Sequence, residues 1–189
     1  MQRLFLIRHG KPAAVWGEAD EDPGLDDAGR AQAEAARDFL LSLPEDQRPS
    51  RVVSSPLRRC RETAAPTAEA LGVEIEIDPG VGEIPTPAAL TAEDRPAWLR
   101  EAFQGRWADI RGDLDYEDWR RRAADSLLVR GGTAVFSHYV AINAVMSILA
   151  EDERVLVFRP DHASVTTLAT DGVQLSLIAP GREASTGVL

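Results

Sequence analysis

The stretch LFLIRHGKPAAVWG occupies residues 4–17. A short apolar run ends on an arginine and a histidine side by side, followed by a glycine. An apolar run without polar alternation reads as a strand covered on both faces. A strand that only packs a core has no need of that ending. A strand that brings an imidazole to a phosphoryl group does.

Working outward, the 189 residues suit one domain of ordinary size, and a hydrophobic fraction of 44% is enough to bury a core. The net charge is −10 and the isoelectric point is near 4.8. That balance counts against non-specific binding to nucleic acid or to an anionic membrane, but leaves room for a local basic pocket. Cys60 is the single cysteine, so no internal disulfide can form. The start MQRLFLIRHG lacks the marks of a signal peptide, and its apolar run is far short of the roughly 20 residues that span a bilayer. The expectation is a soluble, cytoplasmic protein.

Along the chain, residues 13–24 read as a loop. LDDAGRAQAEAARDFLLSL (25–43) reads as a helix capped by Asp26 or Asp27, with Ala28, Ala31, Ala35, Phe39 and Leu43 near helical spacing. Arg51 to Ser54 reads as a strand. SPLRRCRETAAPTAEALG (55–72) follows as a helix with Ser55 as N-cap, Gly72 past its end, and a kink or break at Pro66. VEIEI (73–77) alternates as a strand. Residues 79–115, which hold Pro85, Pro87 and Pro96 plus Trp98 and Trp107, read as a cap insertion with one or two short helices. YEDWRRRAADSLLVRGG (116–132) reads as a helix closed by Gly131, TAVFS (133–137) as a core strand, and HYVAINAVMSILAED (138–152) as an apolar helix. SVTTLAT and VQLSLIA form two strands joined at Asp171-Gly172, a strong hairpin signal. The tail beyond Pro180 reads as frayed. The expected fold is α/β: a three-layer sandwich with a mostly parallel, mixed sheet, the cap lying within one domain.

Three strands end on reactive residues: Arg8-His9, Ser54-Ser55 ahead of Arg58, Arg59 and Arg61, and Ser137-His138. In an open α/β sheet, ligands bind beyond the carboxyl ends of strands. If these strands are parallel, two histidines and several arginines meet on one rim. Arginine offers planar, paired donors to phosphate oxygens, and a neutral imidazole can attack phosphorus. Arginines and a second, protonated histidine would neutralise the transferring group without a metal or cofactor. A carboxylic acid must then serve the leaving oxygen. Glu83, beyond the 73–77 strand, is the candidate. Read alone, Cys60 is a small buried hydrophobe, His162 is structural or exposed, and Trp98, Trp107, Tyr116 and Trp119 are packing residues.

Taken together, LIRHGKP, LDDAGRAQA, VVSSPLRRCRETA, VGEI and VFSHYVAINAV resemble the histidine phosphatase superfamily, also called the phosphoglycerate mutase-like family. The resemblance implies that His9 is the phosphorylated nucleophile and that Arg8, Arg59 and His138 hold the phosphoryl group, with Glu83 as acid and base. Tyr139 stands where many members carry glycine, and Lys11, the only lysine of the chain, follows the first block. Both join Arg8, Arg59 and His138 as candidate phosphate-binding residues. "GEIPTP" departs from the family's acid block, and "DHA" at 161–163 replaces a more usual asparagine-containing lead. The mutase pattern of Glu-Ser and Trp-Asn is replaced by Lys11-Pro12 and Trp16-Gly17. The expected function is hydrolysis of a small phosphomonoester, with a cofactor-dependent mutase and a non-catalytic phospholigand-binding protein as alternatives. A homodimer is left open.

Overall fold

A computed structural model describes residues 1–14 and 22–185. Most of the expected loop at 13–24, Trp16-Gly17 included, and the last four residues of the tail lie outside the described residues. The strands are β1 (Gln2–Arg8), β2 (Arg51–Ser54), β3 (Ile75–Ile77), β4 (Thr133–Ser137), β5 (Val165–Thr170) and β6 (Leu175–Ala179). They form one sheet in the order β3-β2-β4-β1-β5-β6. β1, β2, β3 and β4 are mutually parallel where they pair, while β5 runs antiparallel to β1 and to β6.

The apolar run of β1 is explained by cover on both sides. Phe5 and Ile7 join Val52, Ala134 and Phe136 against Leu40, Cys60 and Ala64. Leu4 and Leu6 join Val53 and Val135 against Ile142, Val145 and Leu127. The first face is covered by α1 (Asp27–Ser42) and α2 (Arg58–Leu71), the second by α4 (Tyr116–Asp125) and α5 (Tyr139–Leu149). A third cluster, with Ile84, Leu99, Trp107, Tyr116, Tyr139 and Val140, fastens the 79–115 segment to α4 and α5. That segment holds one α-helix, α3 (Arg95–Ala102), and two short 3₁₀ turns. No helix among the described residues is long and apolar enough to cross a membrane.

Several local expectations are corrected. Helix α1 is capped by Asp26, but its buried face is Gly29, Ala33, Ala36 and Leu40. Ala28, Ala31, Ala35 and Phe39 are exposed. Helix α2 starts at Arg58 with Leu57 at the cap position, so Ser55 does not cap it, and the helix runs on through Pro66. Gly72 does close it, in the left-handed conformation (φ +67°). Helix α4 stops at Asp125, well short of Gly131, and Leu127 enters the core from the turn that follows. The β5–β6 reversal is made on Gly172 (φ +90°), with the Asp171 carboxylate accepting from Val173 and Gln174 N–H.

Candidate active site

The three parallel strands β1, β4 and β2 end side by side, and their next residues stay in register. His9 N–H donates to Ser137 O at 3.0 Å, and Ser55 N–H donates to Phe136 O at 3.0 Å. His9, His138 and Arg59 therefore share one rim. The rings of His9 and His138 lie 5.3 Å apart between centroids, nearly edge to face. Arg59 Nη2 lies 3.3 Å from His138 Nδ1. All are deeply buried: His138 fully, and His9, Arg8 and Arg59 to within 6%.

The glycine of the Arg-His-Gly run answers to packing. A Cβ on Gly10 would stand 2.6 Å from Gly29 O, and one on Gly29 would stand 2.1 Å from Lys11 O. Two backbones touch where the loop after β1 crosses α1, and only glycines fit there. Thr63 holds the same loop from the other side: its hydroxyl accepts from Gly10 N–H at 2.9 Å and donates to Arg59 O at 2.6 Å.

His9 Nδ1 lies 2.8 Å from Gly10 O. A carbonyl only accepts, so Nδ1 carries the proton and Nε2 keeps its lone pair. Burial, then His138, Arg59 and Arg8, hold the His9 pKa well below the usual value. His138 is likewise held well below it by burial and by Arg59, Arg95 and Arg8. A dry ring among guanidinium groups favours its neutral form. Arg8 lies 4.9 Å from the Tyr139 ring centre, and its Nη1 donates to Pro160 O at 3.0 Å. Burial lowers its pKa to about 10. The Nε–H groups of Arg8 and Arg59 are buried without a partner among the described residues.

Glu83 sits on a strapped segment. Ser137 Oγ donates to Val81 O, Arg95 Nη2 to Ile84 O and Tyr116 OH to Pro85 O, at 2.7, 3.4 and 3.2 Å. Its own Oε1 accepts from Ile84 N–H at 2.9 Å, and its charge acts on Arg8 and Arg95. Lys11 points its ammonium at Asp26, 2.7 Å away, and is half exposed. Cys60 is buried and its thiol is pushed up, first by burial, so it stays protonated.

Two further groups reach the rim: His162, read from the sequence as structural or exposed, and Arg95, which the sequence does not single out. His162 stands just before β5, with its ring 5.9 Å from that of His9. Burial and Arg8 pull its pKa down to about 4. Because β5 is antiparallel, the rim receives the start of this strand, and a rule that inspects only strand ends passes over it. Arg95, at the start of α3, acts electrostatically on His138 and Glu83. No spacing in the sequence marks it, apart from the proline that follows at a helix start. Among the described residues, no group of three or more His, Cys, Asp or Glu side chains is placed to hold a metal ion.

The family model described as histidine phosphatase superfamily (branch 1) matches residues 4–180. A glucosyl-3-phosphoglycerate phosphatase of Mycolicibacterium vanbaalenii is 31% identical over 129 residues, covering 60% of this chain and 53% of that protein. The transcription factor tau 55 kDa subunit of Saccharomyces cerevisiae is 36% identical over 103 residues, covering 45% of this chain and 23% of that protein. The chain thus spans between about a quarter and about half of the length of these curated relatives. Among solved structures, phosphoserine phosphatase from Entamoeba histolytica with 3-phosphoglyceric acid superposes with a TM-score of 0.73 at 21% identity, covering 96% of this chain and 98% of that one.

Proposed function

We propose that this chain, which belongs to the histidine phosphatase superfamily (branch 1), is a phosphomonoesterase that works through a phosphohistidine. The observation that carries the reading is the neutral His9, with a bare Nε2, beside His138 and the buried Arg8 and Arg59. His9 Nε2 attacks phosphorus and the bond to the ester oxygen breaks. Glu83 gives its proton to that oxygen. Water then attacks the phosphoryl group, Glu83 takes the proton back, and the P–N bond breaks. In both steps the buried guanidinium donors face the equatorial oxygens, where charge is spread. A dianion among these groups favours protonation of His138 and would reverse the sign of its present environment.

The 79–115 segment, read as a cap, favours a small phosphorylated substrate. Ester chemistry close to that named for the relatives, a glucosylated phosphoglycerate or phosphoserine, heads the panel to be screened. The test is turnover of p-nitrophenyl phosphate by the wild type and by His9→Ala. The variant should keep its unfolding midpoint and lose activity, the wild type should yield an acid-labile phosphoprotein on quenching, and EDTA should change neither. Normal rates in His9→Ala would overturn the mechanism. Binding of phosphate esters without turnover by an intact chain would favour a ligand-binding protein instead.

A further inference from the structure

We propose that Ser55 is a positioning residue that, with Arg59, fixes the tautomer of His138. His138 is completely buried, so its two ring nitrogens find their partners inside the protein. Nδ1 faces Arg59 Nη2 at 3.3 Å. A guanidinium has donors only, so Nδ1 must present its lone pair. In a neutral ring the single proton then sits on Nε2. Nε2 lies 2.7 Å from Ser55 Oγ, which accepts it. The Cys60 sulfur is farther, at 3.4 Å from Nε2, and lies 3.3 Å from Ser137 O, to which its S–H donates. Ser55 is itself fully buried, and its N–H is tied to Phe136 O.

The consequence lies on the other side of the ring. With Nε2–H tied to Ser55, the Nδ1 lone pair is held towards Arg59 and the space that the phosphoryl oxygens would enter. When an oxygen takes the Arg59 N–H, Nδ1 can take a proton from a monoprotonated ester or from solvent, and then donate to that oxygen. The opposite tautomer would set N–H against N–H. Ser55 and Arg59 together thus decide which nitrogen meets the phosphoryl group, and Ser55 does so without touching it. This use of the ring rests on the proposed phosphatase reading; the tautomer itself does not.

Nitrogen NMR of the histidine rings in the full chain at neutral pH tests the tautomer directly. His138 should carry its proton on Nε2 and show a bare Nδ1. In Ser55→Ala the proton should redistribute between the two nitrogens. kcat/KM for p-nitrophenyl phosphate should fall by about tenfold, the scale of one lost hydrogen bond, with an altered pH profile. Ser55→Thr, which keeps the hydroxyl, should retain the wild-type ring pattern. A proton on Nδ1 in the wild type would overturn the proposal, as would a Ser55→Ala ring pattern and rate unchanged from wild type. If Ser55→Ala does not fold, the wild-type rings and Ser55→Thr decide. A purely structural serine would lower the unfolding midpoint without moving the ring proton. If the wild type hydrolyses no phosphomonoester, the phosphatase reading fails while the ring measurement still answers for Ser55.

Discussion

Gly29→Ala is the most informative single change. In an ordinary helix this substitution stabilises by about 1 kcal/mol. Here the new Cβ would lie 2.1 Å from Lys11 O, and 2.9 and 3.0 Å from Lys11 N and C, all backbone atoms. Real Cβ atoms essentially never come closer than 3.0 Å, so loop and helix must part by about 1 Å, in an interior too densely packed to absorb it. The shift loosens the Asp26 N–H bond to Lys11 O and the Lys11 N–H bond to Gln32. Overpacking of this kind costs about 1–3 kcal/mol; set against the helical gain of about 1 kcal/mol, it leaves a net loss of up to about 2 kcal/mol. For a chain of this size that is a drop of up to about 8 °C in Tm. The displaced loop carries Gly10 and therefore His9. A misplacement of about 1 Å can cost about 100-fold in rate. Urea unfolding and p-nitrophenyl phosphate kinetics read both effects. Gly72→Ala is the control: its φ of +67° is strained for alanine, but nothing lies within 4 Å, so stability should fall while activity holds. A Gly29→Ala protein that is more stable and fully active would refute the argument.

Two further outcomes follow from the site. Arg59→Lys keeps the charge but loses the planar fork facing His138, so inhibition by vanadate should weaken by at least tenfold, as measured by inhibition constants; an unchanged constant would remove Arg59 from the anion site. His162 titrates near 4 when folded and near 6.5 when unfolded, so the unfolded chain binds that proton first. Its contribution is fully present above pH 6.5 and is lost as the pH falls towards 4. Urea midpoints of His162→Gln should therefore vary less across that window than those of the wild type, and equal slopes would refute the assignment.

Much of this molecule was legible because the sheet is covered on both faces. β1, β2 and β4 announce themselves as apolar runs, and their polar endings mark the rim. α1 was harder. Its buried face contains Gly29 and two alanines, its exposed face has alanines too, and so small a difference in side chain leaves the phase undetermined. α4 reads too long because Leu127 continues the helical spacing, although it reaches the core from a turn. Ser55 looked like a cap because serine before proline usually is one; its partner, His138, is 83 residues away and invisible to local reasoning. The proximity of His162 and Arg95 to the rim is invisible locally for the same reason. Each arrives through long-range topology, one by an antiparallel strand and the other by the segment over the site.

The Thr63 hydroxyl bonds both the Gly10 amide, next after His9, and the carbonyl of Arg59. A single oxygen atom therefore acts as a gauge block between the His9 loop and Arg59. That spacing is set on the α2 side of the sheet, whereas the 79–115 segment is fastened to α4 and α5. Remodelling the outer segment would leave the reach from imidazole to guanidinium as it is.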